Sequence, residues 1–303
     1  MPIHLPPINR RRFLAGTLAA GAGLLLPRRL AAQQPLDPDA FLLLADPHIC
    51  EDRGKEHDGV KPAPSFEQAG REMLALTTRP AGAIIAGDCA FNHGMPGDYA
   101  TLGKLIEPLR EAGLPMHFAL GNHDHRENFL AAFPEAKSDS IGDSSVPGKF
   151  VSVLETRHAN WFLLDSLDKT NVTPGALGEA QLAWLAKAID ARPDKPALLL
   201  AHHNPDPTAK PSGLTGTQAF FDVLAPRRQV KAYFFGHTHC WNLGRFKDLH
   251  LVNVPALAWL FDKKQPRGFV TAQLRPDGAT LVLHALDHEH AKHGQTIDLK
   301  WRA

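Results

Sequence analysis

The feature that most constrains this chain is a short apolar run followed at once by a polar cluster, a pairing that occurs five times. Such runs are typical of buried strands, and the glycine that opens three of the clusters lets the chain turn sharply. The clusters are Asp46-Pro47-His48, Gly87-Asp88, Gly121-Asn122-His123-Asp124, His202-His203 and Gly236-His237-Thr238-His239. The sequence therefore predicts several strands that end in chemically similar side chains.

The same pattern predicts where these side chains meet. Segments with helical spacing separate the strands, which indicates one α/β domain with parallel strands first and antiparallel strands last. Binding sites in open α/β sheets form outside the carboxyl ends of strands. The five clusters are therefore expected to share one crevice. Because all five follow an apolar run, a set of unrelated core histidines is the weaker interpretation.

Apolar spacing predicts the elements around the clusters. Strands are expected over 41–45, 82–87, 116–120, 150–154, 161–164, 197–201 and 232–235. Helices are expected over 65–79, 99–112, 127–133 and 179–189. Late strands are expected over 249–254, 268–274 and 280–286, with a hairpin turn at Arg275-Pro276-Asp277-Gly278.

The ordered clusters resemble those of the calcineurin-like metallophosphoesterase superfamily. The resemblance runs from about Ala45 to His239, and the segment 179–185 is similar to the helix that precedes a metal-binding histidine in that family. It implies a four-layer α/β sandwich, in which two mixed β-sheets are flanked by helices. It also implies a dinuclear metal centre.

The resemblance assigns a role to each cluster residue by matching position. One metal ion would be bound by Asp46, His48 and His239, and the other by Asn122, His202 and His237. Asp88 would bridge the two ions. In the family pattern, the residue that matches His123 faces the phosphate and is not a ligand.

The chemistry of these side chains agrees with that assignment. Imidazole and carboxylate ligands suit two divalent ions such as Mn, Fe or Zn. A bridging hydroxide would then be the nucleophile, and His123 would stabilise charge or protonate the leaving alkoxide. Asp124 has two interpretations of equal weight: it orients His123, or it caps the helix expected over 127–133.

These residues predict a metal-dependent hydrolase of phosphate esters. The stretch from Gly121 to Arg126 is similar to bacterial cyclic-nucleotide phosphodiesterases, which favours a diester substrate, whereas Asn204 departs from the proline usual there. Phe91 replaces the tyrosine ligand of purple acid phosphatases, so an iron–tyrosinate colour is not expected. An exported phosphomonoesterase is the alternative activity, and a non-catalytic phosphate- or metal-binding protein is the alternative class.

The first 32 residues are typical of an export signal. Arg10-Arg11-Arg12-Phe13-Leu14 precedes the uncharged run 15–26, and Leu30-Ala31-Ala32 offers a cleavage site. The paired arginines indicate the twin-arginine pathway, with residues 33–303 as a single domain in the periplasm or outside the cell. An uncleaved anchor is the alternative. No other stretch reaches the about 18 apolar residues of a spanning helix, so no stable membrane insertion is expected after cleavage.

Charge narrows the class of partner. Loss of residues 1–32 removes five arginines and no acidic residue, which changes the net charge from +1 to about −4. A mildly acidic chain has no general attraction for nucleic acid. The expected partner is a small phosphate ester that the metal centre attracts locally, and the oligomeric state does not follow from these residues.

Several further residues leave two interpretations open. Cys50, Cys89 and Cys240 are interpreted as small buried side chains, with a disulfide or a thiol beside the metals as alternatives. The long loops 51–64 and 134–149 are candidates to face substrate. Asn92 and His93 contact phosphate or lie in a solvated loop, and His57-Asp58 is a solvated charge cluster or a lid. A polar tail, rather than a metal site, is expected for His284, His288, His290 and His293.

Overall fold

The computed structural model describes residues 34–137 and 146–303, together with the backbone of His4–Leu5. The rest of the export signal predicted over residues 1–32 lies outside the described residues, as does the middle of the loop predicted over 134–149. Within the described part of the chain, none of the helices combines the length and the apolar character needed to cross a membrane.

The chain alternates strands and helices over its first two thirds and then forms strands. The helices are α1 (Pro62–Leu74), α2 (Pro96–Glu111), α3 (Arg126–Ala132), α4 (Glu179–Asp190) and α5 (Thr217–Leu224), with a 3₁₀ helix at Pro134–Lys137. The early strands are β1 (His4–Leu5), β2 (Leu36–Leu44), β3 (Arg79–Ala86), β4 (Met116–Ala119), β5 (Ser152–Glu155), β6 (Asn160–Leu163) and β7 (Gly175–Ala176). The later strands are β8 (Ala197–Leu200), β9 (Leu214–Thr215), β10 (Val230–Phe235), β11 (Asn242–Phe246), β12 (Leu249–Asn253), β13 (Gly268–Arg275), β14 (Gly278–Ala285) and β15 (Thr296–Lys300).

Two mixed sheets form the centre of the molecule. The first has the order β1-β4-β3-β2-β13-β14-β15, with β2, β3 and β4 parallel and β13 to β15 antiparallel. The second has the order β11-β12-β10-β8-β6-β5, with its four inner strands parallel. A third, two-stranded sheet pairs β7 with β9. The chain order of the strands therefore predicted parallel pairing correctly, but not their division between sheets.

Side chains that alternate along each strand pack into different apolar layers on the two faces of a sheet. In β2, Phe41 and Leu43 pack in the apolar layer between the sheets, whereas Leu42 and Leu44 pack against α1 to α3. A third apolar layer joins the second sheet to α4 and α5. Successive side chains of a strand point to opposite faces, so a strand buried on both faces must be apolar throughout. The four-layer α/β sandwich implied by the resemblance is confirmed.

Helix boundaries differ from the prediction by up to five residues, most of all in α1. The helix expected over 65–79 ends at Leu74, and Arg79 opens β3 instead. Pro80 accounts for the extended backbone of Arg79, because a proline disfavours helical backbone in the residue before it. The helix expected over 127–133 spans Arg126–Ala132, and its cap is His125, whose ring accepts a hydrogen bond from the backbone nitrogen of Asn128.

The C-terminal segment is not a polar tail. His284 lies in β14 with its ring stacked on Phe269 at a centroid distance of 4.7 Å, and β15 continues the sheet after it. Among the described residues, no group of side chains that could hold a metal ion includes His284, His288, His290 or His293. The hairpin expected at 275–278 is confirmed, since Arg275 pairs with Gly278.

Candidate metal centre

The predicted clusters meet at one edge shared by the two sheets. β2, β3 and β4 of the first sheet end before Asp46, Asp88 and Asn122, while β8 and β10 of the second end before His202 and His237. The backbone nitrogen of His237 donates to the carboxylate of Asp46 at 3.1 Å, which joins the two sheets at this edge. All seven predicted ligands and His123 are thereby brought together.

The backbone is strained where the clusters begin. Five of the seven predicted ligands have positive φ angles, of 46° to 69°: Asp46, His48, Asp88, His237 and His239. The left-handed region is unfavourable for residues other than glycine, although Asp, Asn and His enter it most readily. Such strain collects at functional sites, where the surrounding structure enforces it.

Two glycines permit the loops to pack this closely. A Cβ atom on Gly87, which has a φ of +82°, would lie 2.7 Å from the backbone nitrogen of Gly121. A Cβ atom on Gly121 would lie 2.2 Å from Oδ1 of Asp88. Both distances are below any real contact of a Cβ atom, so a side chain at either position would push the Asp88 and Asn122 loops apart.

The ligand atoms form two neighbouring groups. In the first, Nε2 of His48 lies 3.1 Å from Nε2 of His239, which is 3.5 Å from Oδ1 of Asp46. In the second, Nε2 of His202 lies 3.2 Å from both Oδ1 of Asn122 and Nδ1 of His237.

The Asp88 carboxylate lies between the two groups. Its Oδ2 atom is 3.6 Å from Nε2 of His48 in the first group and 3.2 Å from Nε2 of His202 in the second. The two groups contain the same residues as the two ligand sets that the resemblance implied, and Asp88 is close to both, as a bridging ligand would have to be.

The tautomers of the histidines show that this arrangement fits a cation. The ring nitrogens that point outward each contact a backbone carbonyl: His48 contacts Phe91, His202 contacts Ala86, His237 contacts Ser212 and His239 contacts Trp259, at 2.7 to 3.2 Å. A carbonyl oxygen only accepts, so these nitrogens donate. In the neutral rings the inward nitrogens then present lone pairs to one another, which is unfavourable unless a cation lies among them.

Burial and charge agree with that conclusion. Burial lowers the pKa of both His237 and His239 to about 4, so these rings are neutral and able to bind a metal near pH 7. Burial, reinforced by the neighbouring Asp88, raises the pKa of Asp46 to about 8. Burial opposes the charged form of His202, but the attraction of Asp88 prevails and raises the pKa of that ring to about 9. Without a metal, the site therefore retains protons that a divalent ion would replace.

His123 lies at the edge of this centre, with one of its two ring nitrogens bonded to a backbone carbonyl. Its Nδ1 donates to the carbonyl of Asn92 at 2.8 Å, and its ring centroid lies 5.3 Å from that of His48. Its backbone nitrogen donates to Oδ1 of Asp88 at 2.8 Å. The side chain lines the cavity, so Nε2 is the atom available to a substrate.

Asp124 has neither of the two predicted contacts. Its fully buried carboxylate accepts hydrogen bonds from the backbone nitrogens of Cys89, Ala90 and Gly121 and from the hydroxyl of Tyr99, at 2.9 to 3.1 Å. It neither orients His123, which Asn92 holds, nor caps α3, which His125 caps. Both interpretations were wrong because a buried carboxylate is drawn to the unpaired N–H groups of the neighbouring loops.

His203 lies beside the proposed ligands His202 and His237, close enough to form a group with them that could hold a metal ion. Its ring lies 4.7 Å from that of His237, but both ring nitrogens have other partners. Nε2 donates to the carbonyl of Thr173 at 2.9 Å, so Nδ1 accepts from the hydroxyl of Ser166 at 2.8 Å. The departure from the family pattern at Asn204 places that residue in the cavity wall.

The contacts of the cysteines and of the loop residues bear on the interpretations that the sequence left open for them. Cys50, Cys89 and Cys240 are all free thiols, and only Cys89 is fully buried. His93 contacts Asn171 at 3.0 Å, whereas Asn92 lines the cavity and holds His123 through its carbonyl. His57 packs on Trp259 at a ring centroid distance of 4.2 Å, so the loop at 51–64 does reach the cavity. Asp58 pairs with Lys263 at the surface.

The centre opens into a cavity of about 710 Å³. Aromatic side chains form the wall beside His48 and His239, and polar side chains, among them Asn204 and Ser212, line the part near His237. Trp259 and Phe261 were not predicted from the sequence, since they do not belong to a polar cluster that follows a strand. Their only signal was an aromatic pair in a short segment between β12 and β13.

Comparisons with known proteins agree with this geometry. A family profile described as calcineurin-like phosphoesterase matches residues 40–241. The chain is 30% identical to the 3′,5′-cyclic adenosine monophosphate phosphodiesterase CpdA of Pseudomonas aeruginosa, over 66% of this chain and 71% of that protein. It is 31% identical to a probable cyclic nucleotide phosphodiesterase of Rhodopseudomonas palustris, with the same two coverages.

A solved structure shares the fold. The dimetal phosphatase from Danio rerio superposes with a TM-score of 0.65 at 16% sequence identity, covering 88% of this chain and all of that one. The family match spans well over half of this chain and includes the eight residues of the centre from Asp46 to His239. The protein is therefore a member of the calcineurin-like phosphoesterase family, a metal-dependent hydrolase of phosphoric ester bonds.

Proposed function

We propose that this protein hydrolyses small phosphodiesters, with 3′,5′-cyclic nucleotides as the substrate class. The observation that carries the proposal is the pair of ligand groups on either side of Asp88, with the free nitrogen of His123 beside them. Two relatives at 30% and 31% identity carry names that describe cyclic nucleotide phosphodiesterases, which supports a diester.

The proposed ligands have two tasks: to hold two divalent ions and to keep them in a fixed geometry. One divalent ion would be held by Asp46, His48 and His239. The other would be held by Asn122, His202 and His237, and Asp88 would contribute to both sites. Two such ions supply positive charge for the phosphate and an ionised water as nucleophile, and Mn, Fe and Zn all suit these donors. The chain's own contribution is to fix the imidazoles through backbone carbonyls, so that no ligand has to reorganise during the reaction.

His123 is assigned the role of proton donor to the leaving group. As an imidazolium it carries a proton on Nε2, and its Nδ1–H stays bonded to the carbonyl of Asn92. That bond holds the ring in place while Nε2 gives its proton to the departing alkoxide oxygen. A protein that only binds phosphate needs no such group, so His123 supports an enzyme over a binding protein.

One comparison tests the proposed activity. The chain is purified, loaded with Mn, and assayed for kcat/KM on a nitrophenyl phosphodiester and the matching monoester, with a chelator control. We expect the diester to be preferred and the chelator to abolish hydrolysis, after which 3′,5′-cyclic AMP should yield 5′-AMP. Preference for the monoester would indicate a phosphomonoesterase instead. Bound metal without hydrolysis of either ester would favour the non-catalytic alternative.

Export is part of this proposal. It rests on the paired arginines at 10–12 and the apolar run at 15–26, with residues 33–303 as the exported domain. Fractionation of cells that express the full chain tests it. Processing and periplasmic recovery should be lost when Arg10 and Arg11 are both replaced by lysine. Unchanged export of that variant would contradict the twin-arginine route.

A further inference from the structure

The side of the cavity next to His48 and His239 is aromatic. The rings of His57 and Trp259 lie 4.2 Å apart, and Phe91 meets Trp259 edge-on at 5.7 Å. Trp259 in turn packs on His48 at 4.2 Å. These side chains, together with Phe261, are here called the aromatic wall. It is continuous with the metal centre, because two of its members contact proposed ligands directly.

Phe261 is the unusual member of the wall. Its side chain is 68% exposed, more than any other large hydrophobic residue in the described part of the chain. Its ring nevertheless lies nearly parallel to the imidazole of His239, with centroids 4.4 Å apart and an angle of 21°. One face of the ring therefore covers a proposed ligand, while much of the rest is open at the rim of the cavity.

The segment that carries Phe261 is firmly attached. The backbone nitrogens of Leu257 and Ala258 donate to the carbonyls of Ala45 and Asp46, at 3.0 and 3.1 Å. The carbonyl of Trp259 accepts from Nδ1 of His239 at 2.7 Å. An apolar ring that is held in place yet left open to water is typical of a preorganised binding surface.

The wall lies on the side where the leaving group departs. Consecutive carbonyls of Phe91 and Asn92 hold His48 and His123, so the wall and the proton donor share one loop. A leaving group that takes its proton from His123 would therefore extend along the wall. Flat aromatic rings stack well on phenylalanine, whatever the pattern of their hydrogen-bonding groups.

We propose that Phe261 is a specificity-determining residue that stacks on the flat aromatic ring carried by the alcohol part of the phosphodiester, a nucleobase in a nucleotide. The inference rests on the proposed function and adds to it the element that selects the substrate. Phe91 and Trp259 shape the approach to the phosphate. Because stacking is tolerant of base identity, we expect purine and pyrimidine substrates to differ little.

A pair of matched substrates tests the role of Phe261. Both are 3′,5′-cyclic phosphates of ribose, one with adenine and one with a methyl group at the anomeric oxygen in place of the base. The readout is the ratio of kcat/KM for the two substrates. In Phe261→Leu, which keeps an apolar cover over His239, we expect this ratio to fall about tenfold. In Phe261→Tyr, which keeps the ring, it should stay within about twofold of the wild type.

A binding measurement gives a second readout that does not depend on turnover. Adenosine is titrated into the metal-free protein by calorimetry, and we expect its affinity to fall about tenfold in Phe261→Leu and to be kept in Phe261→Tyr. Leu36→Ala serves as the control, since Leu36 is another exposed apolar residue outside the cavity lining. It should change neither readout.

The outcomes separate this inference from the proposed function. A wild-type protein that hydrolyses neither cyclic phosphate would overturn the proposed substrate class. Equal hydrolysis of the two, or an unchanged ratio in Phe261→Leu, would overturn the stacking role and leave the phosphodiesterase in place. An equal loss on both substrates with metal binding weakened would show that Phe261 acts only as a cover for His239, and would also overturn it.

Discussion

The carboxylate of Asp124 accepts a hydrogen bond from the backbone nitrogen of Cys89 at 3.1 Å, and so joins two loops that are 35 residues apart. Cys89 follows Asp88, and Asp124 follows the loop of Asn122. The same carboxylate also binds Ala90 and Gly121. Asp124 is therefore a positioning residue that sets the distance between two proposed ligands.

We expect Asp124→Asn to lower the free energy of unfolding by about 2–4 kcal/mol. The amide keeps one oxygen acceptor, but its NH₂ group would face backbone N–H groups that can only donate. Metal affinity should fall with stability, because the two loops are no longer held together. Urea unfolding of the metal-free protein measures the first effect, and metal titration measures the second.

Asp277→Asn is the control for this substitution, because the Asp277 side chain is 88% exposed in the turn between β13 and β14. Its effect should be within about 0.5 kcal/mol. If Asp124→Asn instead kept full stability and metal binding and only slowed turnover, Asp124 would have the catalytic role that the structure denies it.

Gly87→Ala should be one of the most damaging small substitutions. The new Cβ atom would lie 2.7 Å from both the backbone nitrogen of Gly121 and Cβ of His202, at a φ of +82°. We expect a loss of more than about 3 kcal/mol, which combines backbone strain with displacement of the loops. Thermal unfolding checks this expectation.

Gly294→Ala separates strain from steric conflict. Gly294 has a similar φ of +74°, but a Cβ atom there would meet nothing within 4 Å. We expect a loss of about 1 kcal/mol from backbone strain alone. Equal losses in the two variants would mean that crowding at Gly87 contributes nothing.

His123→Ala should reduce kcat by about 10²- to 10⁴-fold on a diester with an alkyl leaving group. The loss should be much smaller with a nitrophenyl leaving group, because that anion needs no proton to depart. Metal content should not change, since His123 lies outside both ligand groups. Steady-state kinetics with the two esters and elemental analysis of the protein provide the test.

His288→Ala is the matched control, a histidine with a 58% exposed side chain that pairs with Glu72 outside the cavity lining. Its kinetics should match those of the wild type. The same loss on both esters in His123→Ala would argue against proton donation, and metal loss in that variant would make His123 a ligand.

Metal binding should stabilise the fold more strongly as the pH rises. Without metal, Asp46 has a pKa of about 8 and His202 of about 9, both above their ordinary values of 3.8 and 6.5. Above about pH 7.5 unfolded histidines are almost all neutral, so the lowered pKa values of His237 and His239 no longer matter and the metal-free folded state binds more protons than the unfolded chain. Its stability therefore falls as the pH rises from about 7.5 to 9. A divalent ion must displace these protons, so its affinity rises over the same range.

Thermal unfolding at pH 6, 7, 8 and 9, with Mn or with chelator, measures this dependence. At one fixed Mn concentration, the rise in Tm that Mn produces should grow with pH. At the pH where that concentration is 100 times the dissociation constant, the rise should correspond to about 2.7 kcal/mol. Asp46→Asn should weaken the dependence, because the amide has no proton to lose. A rise in Tm that is the same at every pH would contradict protonation of these two residues.

Much of the site could be predicted because its signal is local. Each proposed ligand lies within a few residues of the end of an apolar run, as Asp46 does after β2 and His237 does after β10. A strand end and a polar side chain lie next to each other in the chain, so the sequence alone indicates both. The partition into two ligand groups came from the family resemblance, and the distances around Asp88 agree with it.

The contacts of Asp124 and Phe261 could not be predicted, because their partners are distant in the chain. Asp124 binds N–H groups at 89 and 90, and Phe261 covers a histidine 22 residues before it. Neither pairing has a periodicity or a spacing that marks it. For the same reason, the sequence linked Asp124 only to its neighbour His123 and to the helix expected over 127–133.

The sequence by itself determined the elements and the chemistry. Apolar runs form buried strands, Pro80 favours extended backbone at the start of β3, and His, Asp and Asn at the strand ends are suitable ligands for divalent ions. Only the tertiary structure decided how the strands divide between two sheets and which backbone groups hold each ligand. The physical reason is that burial and long-range hydrogen bonds depend on where distant segments meet, and side-chain order along the chain does not contain that information.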